Sequence, residues 1–291
     1  GAGLPPTGLT GLRTDTFIDI DQKNISAEMN LKVAGGTLTF LPAYRKSESS
    51  IGTYLSGSPF LNQEDNEQTS LELRYAYDAD WGNLIVGAYY LNLDQYTAAQ
   101  VFTAAFITAN QRANLGTKSL AGFGQLRLDL SEQARVIAGV RYTNEDRTIA
   151  ATDFTNNVNF SSDVTFNKWT WRAGLEYDLG PRNMAYVTVS KGFKSGGFNI
   201  FAPTPAFTNA YQPGSLYSYA AGLANPFLGN KLQFNIEAFY WKYKDAQQNA
   251  LAFTPVGALQ FSTFNAASAT LYGFDADLIV KPTRLDTFTA T

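Results

Sequence analysis

From Asn24 to the end of the chain, side-chain polarity alternates with a period of two, and the connections between these stretches alternate between short and long. Successive side chains of a strand point to opposite faces, so such alternation gives each segment one apolar and one polar face. Within Lys231 to Tyr243, Leu232, Phe234, Ile236, Ala238 and Tyr240 share a face, with Gln233, Asn235 and Glu237 on the other. Ile25, Ala27, Met29, Leu31 and Val33 are set in the same way against Asn24, Ser26, Glu28, Asn30 and Lys32. Tyr272, Phe274, Ala276, Leu278 and Val280 alternate with Gly273, Asp275, Asp277 and Ile279. Short turns rich in Gly, Asp, Asn and Pro are predicted at 34–36, 78–82, 129–133, 178–182, 225–229 and 281–285. Long polar loops are predicted between them, at 47–66, 97–116, 149–165, 194–214 and 245–268. The pattern reads as eleven complete strands and the start of a twelfth at Asp286.

Loop parity of this kind has a physical cause in the outer membrane, where periplasmic turns are short, extracellular loops long, and strands apolar outward and polar inward. The predicted fold class is therefore all-β, a transmembrane antiparallel β-barrel wound as an up-and-down meander. Predicted strands of about 10–14 residues suffice for a tilted crossing, which needs roughly 9–11. Tyr75, Tyr77, Trp81 and Tyr177 fall by the short turns. Tyr89, Tyr90, Tyr96, Trp169, Trp171, Tyr240, Trp241 and Tyr243 fall towards the long loops, as two interfacial girdles would. A soluble β-sandwich or solenoid also predicts alternation, but not loops of alternating length or banded aromatics.

Composition narrows the function classes. The chain is 45% hydrophobic and 14% aromatic but only 16% charged, with a net charge of −3. That argues against nucleic-acid partners, which need clustered Lys and Arg. It contains no Cys and no His. Thiolate chemistry, Ser-His-acid triads and His-ligated zinc or haem are excluded within it. No apolar run approaches the roughly 20 residues of a membrane helix. The first residues lack the charged start and apolar core of a signal peptide, so an export signal is expected outside this segment. Residues 1–23 are expected to form an extracellular loop.

Motifs with a chemical reading are few. Gly192-Phe-Lys-Ser-Gly-Gly197 departs from the phosphate-binding loop, having Phe193 where Gly should precede Lys-Ser, and it reads as a glycine-rich strand exit. Glu28, Glu237, Asp275 and Asp277, like Arg74, Arg127, Arg135 and Arg141, fall on polar faces and read as the wall of a hydrated lumen. Glu64-Asp65-Asn66-Glu67 could in principle chelate calcium but reads as a solvated loop.

Several segments resemble the barrel of TonB-dependent outer-membrane receptors, in the siderophore branch. They are Ala185–Asn199 (AYVTVSKGFKSGGFN) with Tyr211–Gly214, Phe234–Gln248 (FNIEAFYWKYKDAQQ) and Asn265–Asp277 (NAASATLYGFDAD). Ala138–Glu145 (AGVRYTNE) and Gly87–Tyr90 match more weakly. The resemblance runs from about Asn24 onward, in the family's order and spacing. It implies a barrel of about 22 strands whose lumen is plugged, of which this chain would supply about half, the plug domain and closing strands being absent. Alone, such a sheet would keep two unpaired edges and is expected not to form a functional channel. The implied activity is energy-coupled import of a scarce nutrient, a ferric siderophore, at the bacterial outer membrane. The implied partners are the lipid bilayer and, through the plug, the TonB complex; no catalysis and no cofactor is implied. A passive porin and a surface adhesin are the alternatives. A pocket for an amphipathic iron chelate needs aromatic surface and a few positive or polar donors. Lys194, Arg147, Tyr211 and Phe198 hold the expected position, against the reading that they are ordinary loop residues.

Overall fold

The computed structural model describes residues 16–55, 58–102, 107–155, 157–181, 183–200, 210–227, 231–253, 259–283 and 286–290. The strands are β1 (Phe17–Ser26), β2 (Met29–Val33), β3 (Gly36–Leu55), β4 (Ser58–Ala79), β5 (Gly82–Phe102), β6 (Ile107–Asp129), β7 (Ala134–Asp153) and β8 (Val158–Gly180). They continue with β9 (Asn183–Lys194), β10 (Gly214–Phe227), β11 (Leu232–Lys244), β12 (Gln247–Phe253), β13 (Leu259–Asn265), β14 (Ser268–Val280) and β15 (Phe288–Ala290). Thirteen strands form one antiparallel sheet in the order β1-β3-β4-β5-β6-β7-β8-β9-β10-β11-β14-β15, with β2 also on β3, and β12–β13 is a separate hairpin. Counting β1 and β2 as one interrupted strand, the meander has eleven full strands and β15 as the twelfth, as the alternation implied. β1 and β15 end the order without meeting, so the barrel is not closed.

The register sorts every side chain onto one of two faces. Along β7, Arg135, Arg141, Thr143, Glu145 and Arg147 lie on the polar face, while Val136, Ala138, Val140 and Tyr142 lie on the other. The polar set continues across neighbours as Glu176, Arg172 and Lys168 on β8, and Arg127, Gln125 and Phe123 on β6. Leu73, Val86, Leu120, Val140, Trp169, Leu175, Val187, Phe274 and Leu278 carry the apolar face, all exposed. For these residues to be exposed on one continuous face, the solvent there must be hydrocarbon.

The belt has edges. Above Tyr142 the same face of β7 becomes Asn144, Asp146 and Thr148; above Tyr44 that of β3 becomes Lys46 and Glu48. There the Lys46 ammonium, 2.9 Å from Glu48, holds that carboxylate below its usual range. At the lower edge Tyr75 donates from its hydroxyl to the Val33 and Ala34 carbonyls, 3.3 and 2.9 Å away. Ala34 and Gly35, with φ of 49° and 79°, make a two-residue turn of the I′ kind, whose twist suits a hairpin.

Glycines on this sheet are covered by aromatic rings from the facing position. Gly87 lies under Phe123, Gly222 under Tyr186, Gly273 under Phe239 and Gly52 under Phe17. The ring supplies the contact surface that the missing side chain would have given.

Four expectations need correction. The strands β3 to β8 run 20–23 residues, not 10–14, because the predicted loops 47–66, 97–116 and 149–165 are largely paired strand. Among the described residues of the predicted loops, 195–200, 210–213, 245–253 and 259–267 leave the large sheet, the last two carrying β12–β13. Residues 17–23 of the expected N-terminal loop belong to β1, which pairs with the upper part of β3; residues 1–15 lie outside the described ones. Tyr89, Trp241 and Tyr243 face the polar side, so the upper girdle is made by Tyr44, Tyr90, Tyr142, Trp169, Trp171 and Tyr240. The turns predicted at 225–229 and 281–285 fall partly outside the described residues.

Candidate functional site

The segment after β9 folds back onto the polar face of the sheet at the long-loop end. Gly196 and Gly197 permit this close approach. A Cβ at Gly196 would collide with the Phe166 ring and the Tyr211 carbonyl; one at Gly197 would lie 2.6 Å from the Tyr211 hydroxyl and 3.4 Å from Arg147 Nη1. Gly197 and Tyr211 exchange backbone hydrogen bonds of 3.1 and 2.9 Å, closing the segment's base. Phe198 then drops into an apolar patch with Ala113, Ile149 and Ala151, its ring edge-on to Phe160 at 6.5 Å.

Beside this anchor is a charged hydrogen-bond cluster. Arg147 Nε donates to Glu145 Oε1 at 2.6 Å, and the same oxygen accepts from the Ser195 hydroxyl at 2.5 Å. Glu145 is 11% exposed, so its charge is held by these two donors in a largely dry setting. Amide side chains bind the rest together. Asn199 receives from the Thr263 N–H and donates to the Thr263 carbonyl. Asn265 accepts from the Gln212 N–H and donates to the Gln212 and Asp245 carbonyls. Gln247 donates to the Ser195 carbonyl at 2.7 Å and the Gln212 carbonyl at 3.2 Å. The β9–β10 segment and the β12–β13 hairpin are thereby joined into one cap.

Of the four residues expected at a ligand pocket, Arg147, Tyr211 and Phe198 gather around Gly197, and Lys194 stands exposed at the end of β9. Phe198 is 7% exposed and anchors the segment, so its ring offers little free surface. Glu145, Ser195, Phe166 and the amides of Asn199, Gln247 and Asn265 were not foreseen. The Gly196-Gly197 pair was the available signal, since such a doublet marks a close backbone approach. Gly192-Phe-Lys-Ser-Gly-Gly197 is the strand exit expected of it, β9 ending at Lys194. Glu64 to Glu67 lie within β4, where alternate side chains face opposite ways and cannot close around one ion. On the polar wall, Arg74 pairs with Glu72, Arg127 with Asp129, and Arg135 with Glu176 and Asp178, while Glu237 accepts from Tyr186 at 2.5 Å.

The fold has counterparts in solved structures. The ferric yersiniabactin uptake receptor FyuA from Yersinia pestis superposes with a TM-score of 0.81 at 15% identity, over 97% of this chain and 42% of that one. The siderophore receptor PiuA from Acinetobacter baumannii gives 0.71 at 12%, over 92% and 45%. The copper transporter OprC gives 0.69 at 13%, over 92% and 45%. The chain thus spans less than half the length of these structures, and at such identities the likeness is one of fold. The family model for the TonB dependent receptor-like β-barrel matches residues 2–290. With a match over nearly its whole length, this chain belongs to the TonB-dependent receptor β-barrel family.

Proposed function

We propose that this chain forms part of the wall and extracellular cap of an outer-membrane receptor that imports a ferric siderophore by TonB-coupled transport. The observation that carries the reading is the inward fold of the β9–β10 segment, which sets Arg147 and Tyr211 around Gly197 above a polar, charged wall. Lys194 adds a positive charge at the rim. An aromatic hydroxyl, the Lys194 charge and the guanidinium N–H donors of Arg147, whose charge Glu145 already meets, suit a partly aromatic chelate rich in oxygen acceptors. A bare metal ion is less well served: the chain has no His or Cys, and no group of three carboxylates gathers among the described residues. Ligand binding would bias the cap toward its closed form by its differential affinity for that form, and the energy would come from the inner membrane through the lumen-filling domain. The barrel would turn nothing over chemically.

The test is iron-limited growth and ligand affinity in cells expressing the whole receptor that carries this chain. Arg147→Gln, Tyr211→Ala and Lys194→Gln should each weaken binding of the cognate ferric siderophore. Unchanged affinity in all three, and in Phe198→Ala, would remove the site. Iron-limited growth equal to that of a deletion strain would remove the uptake reading.

A further inference from the structure

We infer that the polar face of β7 and β8 carries a carboxylate-binding track formed by Arg172, Arg141 and Lys168. The inference rests on the reading above only in taking that face as the lumen wall. In the register, Arg172 faces Gly139, Arg141 faces Thr170, and Lys168 faces Thr143, so the three cations climb the wall as diagonal neighbours. Such neighbours are about 7–8 Å apart on one face of an antiparallel pair.

The other cations of this face on β6 and β7 are neutralised within it. Below the track Arg135 holds Glu176 and Asp178, Arg127 holds Asp129, and above it Arg147 holds Glu145. Among the described residues no carboxylate pairs with Arg141, Lys168 or Arg172. The flanking strands explain this. On β6 the facing positions hold Gln125, Phe123 and Ala121, and on β9 the residue facing Arg172 is Ser190. The other diagonal neighbour of Lys168 is Glu145, a carboxylate already held by Arg147 and Ser195. Like charges placed this close repel one another, so three cations in a row without an ion-pair partner of their own call for an anion from elsewhere.

The site is also built to hold its charge ready. The Arg141 guanidinium lies over the Tyr89 and Phe123 rings, 5.4 and 5.7 Å from their centroids, and donates from Nε to Thr143 Oγ1 at 3.2 Å. Its terminal N–H groups have no acceptor among the described residues. They and Arg172 border a groove of about 520 Å3 whose wall includes Gly139, Thr170 and Gly192. Added methyl groups at Gly192 would meet nothing within 4 Å, so there is room for a guest. A planar fork of donors suits carboxylates, and the spacing suits several of them on one molecule or one segment. Two sources share that chemistry: acidic side chains of a polypeptide filling the lumen, and a small polycarboxylate passing through it.

The experiment uses the whole receptor carrying this chain, purified in detergent, as wild type, as Arg172→Gln and as the triple variant R141Q/K168Q/R172Q. Arg172 is exposed, so the single variant keeps the test valid should the triple one fail to fold. Citrate is the probe, titrated calorimetrically, and sensitivity of cells to a large antibiotic reports the seating of the lumen polypeptide. A loss of citrate affinity of tenfold or more, with antibiotic exclusion intact, supports the track with a free anion as its guest. Raised antibiotic sensitivity with no citrate effect supports it with acidic side chains as the guest. No change in either measurement overturns it, as does an equal effect from Arg127→Gln, whose charge is already met by Asp129. Absence of heat-modifiable migration in the wild type would instead remove the barrel reading, and the track with it.

Discussion

The two halves of the sheet finish their upper ends in different ways. Strands β3 to β8 keep pairing for 20–23 residues and rise past the aromatic girdle as continuous ladders. Strands β9, β10, β11 and β14 stop after 12–14 residues, and the chain between them folds inward. Backbone N–H and C=O groups need partners in both places. In the first half the ladder supplies them; in the second, Asn199, Gln247 and Asn265 supply them from side chains. A ladder is periodic and rigid, whereas a cap held by a handful of amides and one buried ring can be re-formed around a guest. Of the proposed binding residues, Lys194 and Tyr211 belong to the second half and are set against Arg147 of β7 in the first.

The largest test of that contrast removes the ring. Phe198→Ala deletes a buried aromatic, a change worth about 3–5 kcal/mol at a packed site, and leaves only the partly buried Ile200 and Ala210 among the described cap residues against the Ile149 and Ala151 patch. Hydrogen exchange at Ser195, Gly197 and Tyr211 should speed up toward that of an open loop, while β7 and β8 remain protected. Protection unchanged at Gly197 and Tyr211 would mean that the cap is held by its hydrogen bonds and not by the ring.

A smaller effect separates two glycines, one in each half. A Cβ at Gly222 would sit 2.5 Å from the Tyr186 hydroxyl, the group that donates to Glu237, whereas one at Gly122 meets nothing within 4 Å. Gly222→Val should cost about 1–3 kcal/mol by overpacking, read as a lower denaturant midpoint of the folded, heat-modifiable form. Gly122→Val should be close to neutral by the same measurement. Equal shifts would show that strand propensity, and not the ring above the glycine, sets the cost.

The meander was legible because the belt region obeys one rule: residues such as Leu232, Phe234 and Ile236 must meet hydrocarbon while Gln233, Asn235 and Glu237 must not. Above the girdle both faces meet water, and the rule lapses. Ser47-Glu-Ser-Ser50 and Gln63-Glu-Asp-Asn66 have no apolar side to reveal their pairing, so they read as loops although every residue is in register. The same blindness misplaced Tyr89, Trp241 and Tyr243, since an aromatic is at home in either girdle or lumen. Arg147 and Tyr211 could be picked by type and position, but Glu145 and Ser195 could not. Their pairing depends on a fold-back across 50 residues of sequence.

Two asparagines, one in each half, differ in what they hold. Asn265 accepts from the Gln212 N–H at 2.7 Å and donates to the Gln212 and Asp245 carbonyls at 2.7 and 2.9 Å. These are main-chain groups outside the large sheet, and Asn265→Ala takes the side-chain partner from the Gln212 N–H and the Asp245 carbonyl, while the Gln212 carbonyl keeps Gln247. Water reaches this exposed end, which limits the loss to about 1–2 kcal/mol, the net value of one or two hydrogen bonds. Asn66 accepts from Gln95 Nε2 at 2.9 Å, across strands whose backbones are already paired on both sides. Its removal orphans only another side chain, and a change at the surface of a complete ladder should stay within about 0.5 kcal/mol. Exchange rates measured around each site should therefore rise near Asn265→Ala and hold near Asn66→Ala. Equal loosening at both would mean that the tall hairpins are no better fastened than the cap, and the division of labour between the two halves would fall.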